Sequence, residues 1–290
     1  MNSKNITSDW QKALELFGSN QTLKNQFLTP IVHSELNARE IVNGFIEVER
    51  LLKDLKNQGE KISLRTLSAH CFRADSKFLD RRRKFLEHAF PIAKDTVEPR
   101  VIMLSAYIPE KLQRAIFIEN FDSFRAAVKA IEAGDFSKST AVIYSAGYRG
   151  SAAQIRQLNT CQFVTINHTP IEHYDEFVNW WFSSDQSIAV YFWGDFDFDG
   201  MSIIKSLREK FHNVTALKPL YEAVLAYHRD GVSHRDLSPK KNSQTDPIRT
   251  GCFYTDTVLL PLLRESGQFT DQEVLGGKEL YQVINTAFTK

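Results

Sequence analysis

Four acids in this chain stand where side chains of their type could hold a divalent cation. Asp195, Asp197 and Asp199 lie in Ser187–Glu209, SIAVYFWGDFDFDGMSIIKSLRE. A continuous apolar run, Ile188 to Trp193, leads into them, and a helical pattern follows Gly200. A short apolar run bounded by turn signals suits a strand buried on both faces. Side chains two apart on a strand share a face, so Asp195 and Asp197 would project on one side, roughly 6–7 Å apart. Carboxylates that close repel unless a cation lies between them. Hard oxygen donors suit Mg²⁺, which takes one or two carboxylates and fills its shell with water and phosphate oxygens. Mn²⁺ is the alternative ion.

The fourth acid is Glu119, in Ala115–Phe124, AIFIENFDSF. Here too an apolar run ends in an acid and passes into a helical pattern, through Ala133. Two strands that each end in a carboxylate and lead into a helix fit a parallel α/β sheet, whose active crevice lies at the carboxyl ends of its strands. Glu119 and the aspartates would meet there. Two plainer readings compete. Three Asp around a Gly can form a solvated turn with a helix N-cap. An EF-hand loop would need Glu at its twelfth position; counted from Asp195, that position is Ser206.

Glu119-Asn120 after one strand, and W-G-D-x-D-x-x-G from Trp193 to Gly200 after a later one, resemble the Toprim domain. This is the metal-binding fold of type IA and II topoisomerases, primases and several nucleases. The Trp193-Gly194-Asp195 opening is most similar to the branch that holds the topoisomerase VI A subunit and JetD, the nuclease subunit of Wadjet plasmid-defence systems. Ala141–Tyr148, AVIYSAGY, resembles the strand-glycine segment between the two motifs. The likeness spans about Arg114 to Leu220. It implies an α/β fold with a Toprim-type parallel sheet flanked by helices. It also implies a metal set of Glu119, Asp195, Asp197 and Asp199, the first three catalytic.

The chain has 290 residues, long enough for two domains with buried cores. Its net charge of +1 identifies no partner, and 42% hydrophobic with 24% charged residues is ordinary for a soluble protein. No apolar stretch approaches the ~20 residues of a membrane helix. The start, MNSKNITSDW, lacks the apolar core of a signal peptide. Cys71, Cys161 and Cys252 are isolated and fit neither a disulfide framework nor a zinc site. A cytoplasmic protein is expected.

Residues 1–105 should form a mainly helical region. Apolar residues from Leu36 to Leu55 recur at near-helical spacing, with Gly59 as the stop. Residues 61–100 read as two short helices with a turn near Arg73 to Ser76, a helix-turn-helix or winged-helix unit. Leu64, Leu67 and Cys71 would line the first helix; Phe78, Leu79, Phe85, Leu86 and Phe90 the second. This stretch carries ten Lys/Arg against five Asp/Glu. Arg81, Arg82, Arg83 and Lys84 are consecutive and would fan around a helix. With Arg73 and Lys77 they form a candidate contact to DNA phosphates, set against the plainer reading of a solvated helix face. The run Ser76-Lys-Phe-Leu-Asp80 also resembles the DNA-binding region of the JetD group.

Residues 106–220 should form the metal-binding domain. Strands are expected at 114–118, 140–145, 162–166 and near 214–219, besides the Asp-rich one. Helices are expected at 123–133, closed by Gly134, and at 152–158, 172–182 and 200–210. Gly147, Gly150 and Ser151 would turn into the 152–158 helix and could cradle a phosphate. Phe177, Trp180 and Trp181 should be core. Residues 221–290 read as a long polar loop from His228 to Pro247, then helices over 257–264 and 271–287. His228 and His234 could assist catalysis, though surface histidines are commoner. His234-Arg235-Asp236 matches the kinase catalytic loop, but no glycine-rich loop, strand lysine or D-F-G accompanies it. Gln272-Glu273 resembles an acidic segment near the end of JetD-type chains.

The resemblance implies an Mg²⁺-dependent DNA endonuclease acting on double-stranded DNA. It implies plasmid or phage defence beside a condensin-like SMC complex, in a chain that could act as a homodimer, with no membrane partner. The chain is short for a full JetD-type subunit. A topoisomerase VI A-like enzyme would need a nucleophilic Tyr on its helix-turn-helix domain. Residues 61–100 contain none, and the nearest is Tyr107. That favours hydrolysis. A non-catalytic DNA-binding subunit and a nucleotidyl transferase are the other readings.

Overall fold

The structure is a computed structural model that describes residues 3–134, 138–147, 154–235 and 244–288. The chain divides into two compact units, Met1–Arg100 and Val101–Lys290.

The first unit is helical: α1 (Ser3–Leu14), α2 (Gln21–Gln26), α3 (Ala38–Gln58), α4 (Leu64–Cys71), α5 (Arg83–Ala89) and α6 (Ala93–Thr96). The axis of the unit is α3. Asn37 and Glu40 form a reciprocal capping box at its start, and Gly59 ends it in the left-handed region at φ 71°. Its apolar stripe, Ile41, Val42, Phe45, Val48 and Leu52, is fully buried. Phe45 lies among other rings, 4.7 Å from Phe27 and 5.1 Å from Phe72. The Trp10 indole donates to the Phe27 carbonyl at 2.7 Å. Burial of such large side chains is worth ~1.5–3 kcal/mol each.

The helical N-terminal region is as expected, but the second short helix begins later than the pattern indicates. Arg73 and Ala74 adopt positive φ of 50° and 66°, and residues 76–82 form successive turns. Only Arg83 onward is α-helical. Phe78 and Leu79 are nevertheless buried. Their apolar period is satisfied by turns wrapped around the Phe72–Phe78 stack, at 4.0 Å between centroids.

The second unit contains a sheet of order β4-β1-β3-β2-β5-β6. The strands are β1 (Ile102–Tyr107), β2 (Arg114–Ile118), β3 (Thr140–Tyr144), β4 (Cys161–Thr165), β5 (Ala189–Trp193) and β6 (Thr215–Ala216). Its helices are α7 (Phe121–Glu132), α8 (Ile171–Phe182), α9 (Phe198–Arg208), α10 (Lys218–Arg229), α11 (Leu260–Ser266) and α12 (Gly277–Ala287). Every strand pair is parallel except β1 with β3, which is antiparallel. Nearly every residue of β2 and β3 is buried, as their apolar runs require. Phe177, Trp180 and Trp181 of α8 are core residues. Trp181 packs against Phe117 of β2, centroids 5.7 Å apart.

Several local expectations change. Strand β1 occupies the stretch where only a domain boundary is expected. Residues 154–158 are turns rather than the end of a helix; Gly150, Ser151 and the start of that helix lie outside the described residues. Gly134 is not in the left-handed region, since Ala133 caps α7 in αR geometry. Pro219 occupies the first turn of α10 rather than a strand, a position where its missing N–H costs nothing. Helix α10 therefore runs through His228, where the composition indicates a loop. Residues 271–276 precede α12 as a short 3₁₀ turn and an extended cap. The C-terminal helices contribute Leu220, Leu260, Leu263, Leu280 and Ile284 to the sheet's core. Among the described residues no helix is long and apolar enough to cross a membrane.

Gly44, in the middle of α3, generates a test. A Cβ there would run into the Phe72 ring and come within 2.7 Å of the Cys71 carbonyl oxygen. Gly44→Ala gains ~1 kcal/mol of helix propensity, but overpacking costs ~1–3 kcal/mol, and a backbone oxygen cannot swing aside. The urea midpoint of the first unit should fall. A midpoint at or above wild type would mean that α4 moves freely.

Candidate functional site

Strands β2 and β5 are parallel neighbours in register, with Ile118 opposite Trp193. Glu119 and Asp195 therefore emerge together at the carboxyl end of the sheet. The Glu119 N–H donates to the Trp193 carbonyl at 3.1 Å, and the Asp195 N–H donates to Glu119 Oε2 at 3.1 Å. Two glycines make this approach possible. A Cβ at Gly194 would overlap Glu119 Oε2, and one at Gly200 would overlap the Asp195 carbonyl oxygen. The Gly194 N–H donates to the hydroxyl of fully buried Tyr221, at 3.1 Å.

Asp197, 3% exposed, is the N-cap of α9. Its Oδ1 accepts from the Gly200 N–H at 2.7 Å, and its Oδ2 accepts from Gln244 Nε2 at 2.7 Å. The helix cap is thus Asp197, not Asp199. Asp199 sits in the first turn of α9, where a negative charge opposes the positive end of the helix dipole. Gln244 also accepts the Phe198 N–H through Oε1, at 3.0 Å.

A segment remote in sequence closes the site. Phe196 and Thr270 exchange backbone hydrogen bonds of 2.9 and 3.2 Å. This brings the Gln272 N–H to Asp195 Oδ1 at 2.9 Å. The same oxygen accepts from Asn120 Nδ2 at 3.0 Å, and that amide also donates to Glu273 Oε2 at 3.2 Å. Gln272 Oε1 accepts the Asn120 N–H at 3.2 Å. The Gln272 Nε2 atom is buried without a hydrogen-bond partner among the described residues.

The electrostatics follow from crowding. Burial raises the Glu119 carboxyl well above the usual range, and repulsion from Asp195 and Asp197 adds to it. Burial also raises Asp195, to about 7; Asp197, Asp271 and Glu273 push the same way, against the Gln272 N–H. Among the described residues no Lys or Arg forms an ion pair with Glu119, Asp195 or Asp197.

The donor set is all oxygen, and a divalent cation would relieve its repulsion, so the residues fit Mg²⁺ or Mn²⁺ in chemistry. The arrangement is not yet a coordination sphere. Among the described residues no three His, Cys, Asp or Glu converge as a metal site. Each Asp197 oxygen accepts one hydrogen bond. Glu119 and Asp195 each accept through one oxygen, Oε2 and Oδ1, which leaves Glu119 Oε1 and Asp195 Oδ2 as the oxygens to offer.

The candidate DNA contacts lie in the first unit, and several are already committed. Arg73 pairs with Glu40 at 2.9 Å. Arg82 donates to the Phe78 carbonyl and lies 4.4 Å over its ring. Arg83 pairs with Glu87 at 2.8 Å and donates to the Glu98 carbonyl. Lys77, Arg81 and Lys84 are exposed and have no ion pair among the described residues. The four consecutive cations do not fan around a helix, because Arg81 and Arg82 lie in turns. His234 pairs with Asp271 at 3.2 Å, and His228 Nδ1 bonds the Thr270 hydroxyl at 2.9 Å. Pro239, Lys240 and Lys241 lie outside the described residues.

Sequence reading missed Tyr221 and Gln244. Neither carries a local signal, since each reaches the site only through the fold. Asn120 and Gln272-Glu273 stand within recognisable motifs, but the motifs assign them no role.

The family model described as Wadjet protein JetD, C-terminal, matches residues 82–250, more than half of the chain. The match takes in Glu119, Asp195, Asp197, Asp199 and Gln244. No curated protein matches the chain.

The raised Asp195 carboxyl predicts a pH dependence for the metal-free protein. Its folded pKa, about 7, exceeds the ordinary 3.8. Its contribution is therefore fully present below about pH 4 and lost as pH rises through 7. In EDTA, the melting temperature of wild type minus that of Asp195→Asn should fall between pH 5 and pH 8. A difference flat in pH would mean that Asp195 ionises without penalty.

Proposed function

The chain belongs to the JetD C-terminal family, and from that premise we propose that it is a divalent-metal-dependent DNA endonuclease of the Toprim type, serving a Wadjet-type defence role beside a condensin-like complex. The observation that carries this reading is the pairing of Glu119 and Asp195 at the ends of adjacent parallel strands, half-buried, with raised pKa values and no basic partner among the described residues. Such a pair is costly unless it serves a cation.

Glu119 Oε1 and Asp195 Oδ2 would hold the metal, with Asp197 joining when Gln244 releases it. Bound there, Mg²⁺ or Mn²⁺ would polarise the phosphodiester and activate a water. Asn120 orients Asp195 by donating to Oδ1, which aims Oδ2 into the site. Lys77, Arg81 and Lys84 hold the duplex backbone without reading sequence.

Hydrolysis is favoured over a covalent protein–DNA intermediate. Tyr107, the tyrosine nearest the helix-turn-helix stretch, ends β1 with 7% exposure. Burial raises its hydroxyl pKa, which opposes a nucleophilic role. One observation favours a second reading, a non-catalytic DNA-binding subunit: both Asp197 oxygens are engaged.

Supercoiled plasmid should be nicked with Mg²⁺ or Mn²⁺ and not with EDTA. Glu119→Gln and Asp195→Asn should each lose about 100-fold or more in rate, and Asn120→Ala about 10–100-fold, as expected for a residue that orients a ligand. Metal-independent DNA binding without nicking would establish the non-catalytic reading. Detergent-quenched reactions should contain no protein-linked DNA; an adduct removed by Tyr107→Phe would replace hydrolysis by a topoisomerase-like reaction. Reversing Lys77, Arg81 and Lys84 to Glu should lower the slope of log K against log salt by about 0.9 for each phosphate no longer neutralised. An unchanged slope would show these charges to be merely solvated.

A further inference from the structure

Helices α7 and α12 both begin beside the carboxylates and run in the same direction. The N-cap of α7 is Asn120, which bonds Asp195 and Glu273. The N-cap of α12 is Gly276, three residues beyond Glu273. At the far end the Tyr281 hydroxyl donates to the Ala133 carbonyl at 3.3 Å, and Asn285 packs against Gly134. Between them is a cavity of about 610 Å³ lined by Asp122, Arg125, Lys129, Lys278 and Tyr281, among others. Its size is in the range of ligand-binding clefts.

Charge sets the occupant. Arg125, Lys129 and Lys278 are exposed and make no ion pair among the described residues. Asp122 lines the same cavity but pairs with none of the three. The lining therefore carries three cations against one acid. Arg125 and Lys129 are one turn apart on one face of α7, with about 6 Å of rise between them. That row leads away from Asn120, which a compact anion would not require and a chain of phosphates would. At the site end, Phe121 is 47% exposed and backed by Tyr144 at 5.3 Å. An exposed ring at that point can stack on a base or sugar.

We propose that the α7–α12 groove is a track for the phosphodiester backbone, which carries one strand of DNA to the carboxylates. The inference rests on the nuclease reading, since it makes Arg125, Lys129 and Lys278 positioning residues for that substrate. Their location explains how the second unit could hold DNA at the chemistry without help from the first unit's cations.

The test uses the wild-type chain in EDTA, so that binding is read without cleavage. Lysines are acylated with and without a duplex oligonucleotide and mapped by mass spectrometry. DNA should protect Lys129 and Lys278; lack of protection at both overturns the track. Protection by polyglutamate but not by DNA also overturns it, in favour of an acidic protein partner. As a second arm, Arg125→Gln/Lys129→Gln/Lys278→Gln should melt as wild type. It should bind duplex about 10-fold or more weakly at 0.1 M salt, with the salt slope lowered by about 0.9 for each phosphate released. Unchanged affinity and slope would overturn the proposal. Protection without plasmid nicking would remove the catalytic reading and leave the track; nicking without protection would do the reverse.

Discussion

The second unit is organised by one constraint: acidic side chains are brought together, half-buried, at the ends of two neighbouring strands. Register alone places Glu119 next to Asp195. Desolvation raises both carboxyl groups, and repulsion adds to it, from Asp195 and Asp197 on Glu119 and from Asp197, Asp271 and Glu273 on Asp195. The surroundings respond with N–H donors rather than side-chain cations. Asp195 takes the Gln272 N–H and the Asn120 amide, Glu119 takes the Asp195 N–H, and Asp197 takes Gly200 and Gln244. Donors of this kind hold carboxylates in place without neutralising them, so an attraction for a divalent cation remains.

The same constraint accounts for the glycines and for the C-terminal segment. Gly194 and Gly200 are required by close approach, not by backbone conformation, since neither has a positive φ. The Phe196–Thr270 bridge docks residues 268–273 on the aspartate strand. The last helices are therefore part of the site's construction. Glu273 also adds charge, and so deepens the repulsion that a metal would relieve.

The first unit has its own logic. Its core is a packed set of aromatic rings around α3. Part of its basic run serves that core: Arg82 lies over Phe78, and Arg83 ties α5 to the Glu98 carbonyl. A guanidinium already paired and stacked gains less from a phosphate than a free one. Counting basic residues therefore overstates the charge available to a polyanion, and only the position of each side chain corrects the count.

What the sequence by itself determined was periodic or local. Apolar runs ending in acids located β2 and β5, because a strand buried on both faces must be apolar throughout its length. The α3 stripe and Gly59 were legible because helix period and left-handed stop are local properties. Glu119, Asp195 and Asp197 could be named because a short motif keeps acid and glycine at fixed spacing. Other features depended on the tertiary structure. Turns at 76–82 bury Phe78 and Leu79 as well as a helix would, so apolar spacing could not separate the two. Strand β1 pairs antiparallel to β3, and no residue in it announces direction. Tyr221, Gln244 and Gln272 reach the carboxylates from 26 to 77 positions beyond Asp195; chain folding, which sequence spacing does not encode, puts them there. The oxygens left for a cation were likewise decided only in three dimensions, because hydrogen bonds from Gln244 and Gln272 engage one oxygen each of Asp197 and Asp195.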